Sequence, residues 1–331
     1  MCEVLCLESQ LLCAHDPAGA VTLAELALKA AERVVGEAAW RAKLCGFAWA
    51  HVANARRTQG DLAAAERAFT SAERFWKVGE EARNGLLEEG LLFALKASLR
   101  RSQRRFEEEA ALLEQAFAAA SSVKFQVQVL LSQARLAKEM GDLERAVAIL
   151  RQASETVIPD DDGRVVLCIQ HSLADNLSKL DRFAEAEALL PAVIDLSRRC
   201  GGQVDLIRLL WIEGRVAAGL GHREEGVATL RKVRGEFAWR HMSYDTALVS
   251  LELAVLYSEQ GRAEEVKILA RHLVPIFQAR NVDPEVLAAL TLFRQAAERE
   301  RVSAEFARRV LAYLRKARRN PGLRFEGEVA A

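Results

Sequence analysis

A turn flanked by small residues returns along this chain about every 40 residues. The first clear copy reads Ala53, Gly60, Asp61, Ala65, Phe69 and Ala72. The next reads Ala134, Gly141, Asp142, Ala146, Leu150 and Ala153. A third follows with Ala174, Asp181, Ala186, Leu190 and Val193. Looser copies centre on Gly221 and Gly261, and a degenerate one on Arg104. The turn residues 60, 104, 141, 181, 221 and 261 are separated by 44, 37, 40, 40 and 40 positions. Self-similarity at a fixed period predicts a stack of supersecondary units, each burying its apolar face against its neighbours.

Each unit reads as two antiparallel amphipathic helices. Glycine at the turn ends one helix in the left-handed conformation. The following Asp accepts backbone N–H bonds and caps the next. Asp16-Pro17 opens an earlier helix, expected over 18–35, by the same capping logic. Ala, Leu, Glu and Arg dominate, alternation of β-branched residues is nearly absent, and the six prolines fall mostly at turns. The expected fold is all-α, a right-handed α-solenoid of antiparallel helix pairs. Residues 1–44 are expected as a partial repeat, 45–280 as six helix-pair repeats and 281–325 as capping helices, in one continuous domain over 1–331. In the last part Val302, Phe306, Val310, Leu311 and Leu314 form an apolar stripe, and Leu323-Arg324-Phe325 is expected to fold back on it. The chain starts within a helix, so an effector domain ahead of Met1 is compatible with it.

Lysine plus arginine equals aspartate plus glutamate, 46 each, so net charge is zero. Bulk nucleic-acid binding needs a basic excess that this chain lacks. No apolar run approaches the ~20 residues of a membrane span. The six cysteines contain no C-x-x-C pair and fit the reduced thiols of a cytoplasmic protein. Cys2, Cys6 and Cys13, with His15, are the one local cluster, better read as small buried hydrophobes than as a metal site. No phosphate-binding loop, dinucleotide fingerprint, zinc-protease helix or nucleophile elbow is present. No enzyme activity and no cofactor are expected. The densest basic clusters, Arg100-Arg101 with Arg104-Arg105 and Arg315-Lys316 with Arg318-Arg319, suit helix C-termini opposite the dipole.

Trp49, Val52, Ala53, Gly60, Ala65, Phe69 and Ala72 closely resemble the tetratricopeptide repeat. Other copies match in part, over roughly 45–275. Two departures stand out: the period is near 40 rather than about 34, and the Arg104 copy carries Glu109 where alanine is expected. HEAT repeats share the period but not the small-residue pattern. Long-period repeats of this kind are similar to those of bacterial sensor and regulator solenoids. The resemblance implies that the first helix of each repeat lines a concave groove. It places Asn54, Arg57, Arg101, Arg135, Lys138, His171, Asp175, Lys179, Arg208, Trp211 and Arg215 there, with Glu139 and Glu259 opposing. The groove is therefore expected to be basic through its middle. Asn54 and Asp175 share a position where related folds grip a peptide backbone. The implied function is a signalling or transcriptional scaffold that holds an acidic extended peptide or partner segment. The alternatives are a structural oligomerisation scaffold, or a nucleic-acid-linked regulator using the basic C-terminal helix.

Overall fold

A computed structural model describes residues 1–82, 87–157, 163–278, 284–299, 301–317 and 323–326. Among them are sixteen α-helices and no strand. They fall into two compact units, Met1–Met140 with Glu155–Val157, and Gly141–Ser154 with Ile158–Ala331.

The first unit holds α1 (Cys2–Leu12), α2 (Pro17–Glu32), α3 (Ala38–Gln59), α4 (Leu62–Val78), α5 (Gly90–Ser102), α6 (Phe106–Ala118) and α7 (Val123–Met140). α3 pairs with α4 and α5 with α6. The α3–α4 turn works as its sequence predicts. Gly60 sits at φ +95°, and Asp61 closes the helix by donating its N–H to the Arg56 carbonyl at 3.0 Å. The Asp61 carboxylate then accepts the Ala64 N–H at 2.8 Å. Ala53, Ala65 and Ala72 are wholly buried around Phe69, where the backbones approach most closely. Gly46 marks another such approach, because an added Cβ would lie 2.8 Å from the Trp76 backbone nitrogen.

α3 is buried nearly all round, from Ala42 to Ala48 and from Ala50 to Ala55. It is wrapped by α1, α2, α4 and α5. A helix buried on nearly every side needs such a wrapping, and the polar Lys43 and Asn54 within it are hydrogen-bonded. Cys2, Cys6 and Cys45 share this core with Phe47, while His15 is exposed. No trio of His, Cys, Asp or Glu among the described residues is arranged to hold a metal ion.

The second unit holds α8 (Leu143–Thr156), α9 (Gly163–Lys179), α10 (Phe183–Cys200), α11 (Gln203–Gly219), α12 (Arg223–Trp239), α13 (Ser243–Glu259), α14 (Ala263–Gln278), α15 (Pro284–Glu298) and α16 (Ala304–Ala317). Pairs α9–α10, α11–α12 and α13–α14 follow the repeat, and α16 packs on α13. Phe306, Val310, Leu311 and Leu314 are buried there with Leu248, Leu251 and Phe293. Leu323 and Phe325 fold back on the same cluster, with Phe325 edge-on to Tyr313 at 5.1 Å. No helix among the described residues is long and apolar enough to cross a membrane.

All six turn residues adopt positive φ: Gly60 95°, Arg104 62°, Gly141 88°, Asp181 57°, Gly221 96° and Gly261 69°. Arg104 and Asp181 are thus forced into a conformation that glycine enters freely. Arg105 and Arg182 make the same closing bond as Asp61, to Arg100 and Leu177. His241, between α12 and α13, is also left-handed at φ 56°, with Met242 making the closing bond to the Phe237 carbonyl, and this turn has no counterpart in the sequence pattern. One expectation moves: the helix opened by Asp16 ends at Glu32, not residue 35. Its last turn tightens, with Arg33 and Val34 donating three residues back, and Val35 is left fully exposed with no packing to extend the helix. Gly141→Ala is expected to destabilise by about 1 kcal/mol, and Arg104→Gly to stabilise by about 0.5–1 kcal/mol, in denaturant unfolding.

Candidate functional site

The two arginines nearest the ends of α3 and α5, Arg57 and Arg101, bring two positive charges together in the first unit. Arg57 donates Nε and Nη2 to Asn54 Oδ1 at 3.2 and 2.8 Å, and Nη1 to Ser102 Oγ at 3.4 Å. Burial, and then the like charge of Arg101, push the Arg57 pKa down. Arg101 Nη1 is buried without a hydrogen-bond partner. Neither guanidinium makes an ion pair among the described residues, although each carries five donors. Asn54 is 4% exposed and also donates to Cys13 Sγ at 3.5 Å, just past the end of α1. It is committed to internal contacts, and its partner Arg57 presents the open side of the pair.

Beside Arg101 lies Glu109 of α6, the acid that replaces the repeat's alanine. It is 1% exposed, and its Oε2 has no hydrogen-bond partner. Burial raises its pKa to about 7, with Glu139 adding to the rise and Arg101 and Arg135 opposing it. Arg135 and Lys138 stand on the following helix, α7, Arg135 exposed and Lys138 half-buried. Neighbouring Arg100 is wholly different. It forks onto Glu66 at 2.5 and 2.9 Å, and that pairing, chiefly, holds Glu66 at about 2.

In the second unit the expected groove residues are mostly neutralised internally. Arg215 of α11 bonds Asp175 Oδ1 at 3.1 Å, Ser178 Oγ at 2.9 Å and Glu252 Oε1 at 3.0 Å. Lys179 pairs with Asp175 at 2.6 Å. Trp211 Nε1 donates to Glu252 Oε2 at 2.6 Å, and its ring meets Phe237 edge-on at 5.5 Å. Arg315 from α16 reaches Glu252 at 2.6 Å. Burial alone would raise Glu252, but Arg215 and Arg315 hold it below its usual value. Burial likewise works against Arg215, and Glu252 and Asp175 more than offset it. His171 is half-buried one turn before Asp175, and Arg208 is exposed and makes no ion pair among the described residues.

The sequence pattern missed Glu252, which organises this network. It sits in the apolar run of α13, where one acid among buried leucines was the available signal. The terminal helices also cover faces that the repeat register assigned to a groove. α1 packs on α3, and α16 covers Leu248, Leu251 and Val255 of α13. Arg308 of α16 pairs with Glu259, and Arg309 donates to the Glu326 carbonyl at 3.0 Å. Three arginines of the basic C-terminal helix are therefore engaged internally. Arg318 and Arg319 lie outside the described residues, as does the turn at 320–322.

A sequence profile of the tetratricopeptide repeat family matches residues 127–156. No curated protein matches the chain. Among solved structures, a Rap protein complexed with competence and sporulation factor is 14% identical, with a TM-score of 0.61 over 96% of this chain and 95% of that one. A tetratricopeptide repeat protein from Parabacteroides merdae is 15% identical, TM-score 0.51, covering 80% and 97%. Aspartyl phosphate phosphatase F from Bacillus subtilis is 12% identical, TM-score 0.54, covering 100% and 97%. At these identities the likeness is one of fold. The chain is a tetratricopeptide-like helical-repeat protein of the α-solenoid class.

Proposed function

We propose that this tetratricopeptide-like protein is a non-catalytic scaffold of cytoplasmic signalling or transcriptional regulation. It binds an acidic, extended segment of a partner protein, and the segment's carboxylate is read by Arg57 and Arg101. The observation that carries this reading is the contrast between the two units. Arg215 and Lys179 are ion-paired with carboxylates of their own, whereas Arg57 and Arg101 repel each other and make no ion pair among the described residues, the nearby Glu109 carboxyl being raised to about 7 by burial. Two guanidinia from successive repeats, one with a buried orphan N–H, match the fork geometry of a carboxylate. Bringing one in would relieve their mutual repulsion and satisfy donors now left over. Arg135 and Lys138 extend positive charge along α7 for further acidic residues. A Rap protein of the same fold was crystallised with a bound factor, which supports a ligand-holding role. The oligomerisation reading has no comparable observation behind it, and the engagement of Arg308, Arg309 and Arg315 disfavours nucleic acid at α16.

The test is a fluorescence titration of an Asp/Glu-rich peptide against the native protein and Arg57→Glu/Arg101→Glu. Reversing both charges is expected to weaken binding roughly 100-fold, since each charged hydrogen bond is worth about 1.5–3 kcal/mol. Added salt is expected to weaken native binding. Equal affinities would refute the site. Turnover of an aspartyl-phosphate substrate would refute the non-catalytic part, because one protein of this fold is a phosphatase.

A further inference from the structure

A second basic site lies far along the chain from Arg57, on the surface between α14 and α15. Arg271, Arg294, Gln295, Glu298 and Arg299 line an open cleft of about 370 Å³. Arg271 is held side-on by Glu298, Nε to Oε1 at 2.6 Å and Nη2 to Oε2 at 2.8 Å. That bidentate grip fixes the plane of the guanidinium and leaves Nη1 to donate elsewhere. Arg294 and Glu298 stand one turn apart on α15, Gln295 lies on the adjacent ridge, and Arg299 sits in the turn just past the helix, its N–H donating to the Gln295 carbonyl at 3.3 Å. Neither Arg294 nor Arg299 makes an ion pair among the described residues, in a chain whose total charge is zero.

Among the described lining residues three guanidinia stand against one carboxylate, and Glu264 adds a weaker negative field at Arg271, so positive charge remains in excess. The C-terminal end of α15 subtracts about half a charge, so the cleft still favours a dianion. Among the described residues no aromatic ring or apolar side chain lines it, so the charged group itself is what the cleft reads. A carboxylate would satisfy one fork. A tetrahedral phosphoryl group offers three oxygens and a double charge to three arginines arranged around it.

We infer that this cleft binds the phosphoryl dianion of a small phosphorylated metabolite, with Arg294 and Arg299 as direct ligands and Arg271 oriented for them by Glu298.

The test uses the full chain and calorimetric titration with inorganic phosphate and with pyrophosphate, at constant ionic strength set by chloride. Saturable binding is expected, tighter for pyrophosphate. Arg294→Gln/Arg299→Gln is expected to lose roughly tenfold or more in affinity, while Arg57→Gln/Arg101→Gln retains it. Arg299 is exposed and Arg294 half-buried, and neither makes an ion pair among the described residues, so helicity by circular dichroism should be unchanged. Should the double variant lose helicity, Arg294→Lys keeps the charge but not the fork, and an intermediate affinity is expected. The inference is overturned by the absence of saturable binding up to on the order of 10 mM. It is equally overturned by native affinity in Arg294→Gln/Arg299→Gln, or by loss of binding in Arg57→Gln/Arg101→Gln alone.

Discussion

Arg215→Ala is expected to destabilise the second unit by about 3–5 kcal/mol, the penalty for breaking a buried ion pair by removing one partner. Glu252 is 8% exposed and would keep only Trp211 and Arg315 as partners, and Asp175 would keep Lys179. Thermal unfolding by circular dichroism should drop by about 10 °C. Replacing both members, as in Arg215→Met/Glu252→Leu, should recover most of the loss, because apolar pairs of similar volume avoid the desolvation penalty. Arg315→Ala should cost less than about 1 kcal/mol, because that side chain is 35% exposed and screened. The folded pKa of Glu252 is depressed, so its contribution is complete above the unfolded value and is lost as pH falls through the folded one. If Arg215→Ala unfolds at the native temperature, the network is incidental to stability.

The second large effect is a pair of opposed titrations within the first unit. His51 is 1% exposed beside Phe47, and burial lowers its pKa to about 4. The unfolded chain takes up that proton near pH 6.5 and the folded one does not, so stability falls as pH drops from 6.5 toward 4. Glu109 runs the other way. Its folded pKa of about 7 lies above its unfolded value, so the folded state holds the extra proton. Its contribution is present below the unfolded value and disappears as pH rises through 7. Each amounts to about 2–3 kcal/mol between pH 7.5 and 5. The native first unit is therefore expected to show a nearly flat profile across that range. His51→Leu should make it more stable on acidification, and Glu109→Gln less stable. Denaturant unfolding at pH 5, 6 and 7.5 checks all three, and parallel profiles for both variants would contradict the assignment.

What the sequence made legible follows from how local each feature is. The six turns were readable because the turn residue and its flanking small residues lie within one helix pair, with a capping Asp added at 61 and 142. Even Arg104 kept its place, because the period predicts the turn when the residue does not favour it. The candidate charges were readable as residues, since Arg57 and Arg101 each stand three positions before a turn residue and Arg215 stands one helical turn earlier in its repeat, where Asn54 and Asp175 stand in theirs. Which of them would be neutralised was not. That depends on Glu252, one repeat further on, and on Arg315, 63 residues from it in sequence. Neither follows from the repeat register. Likewise α16 reads as an amphipathic terminal helix, but periodicity does not say that it packs over Leu248, Leu251 and Val255 of α13. Glu109 was visible as a departure from the pattern, yet its raised pKa comes from burial at a position that packs alanine elsewhere.

This contrast also changes the choice of variants. Arg215 is an internal counter-ion, so reversing it would disturb packing before it could report on binding. Arg57 and Arg101 carry the functional reading because their donors are not spent on carboxylates. The most direct measurement is amide hydrogen exchange of the native protein with and without a saturating Asp/Glu-rich peptide. The proposed site predicts new protection at the C-terminal turns of α3 and α5, abolished in Arg57→Glu/Arg101→Glu. Protection confined to other helices, or the same protection in that variant, would contradict it.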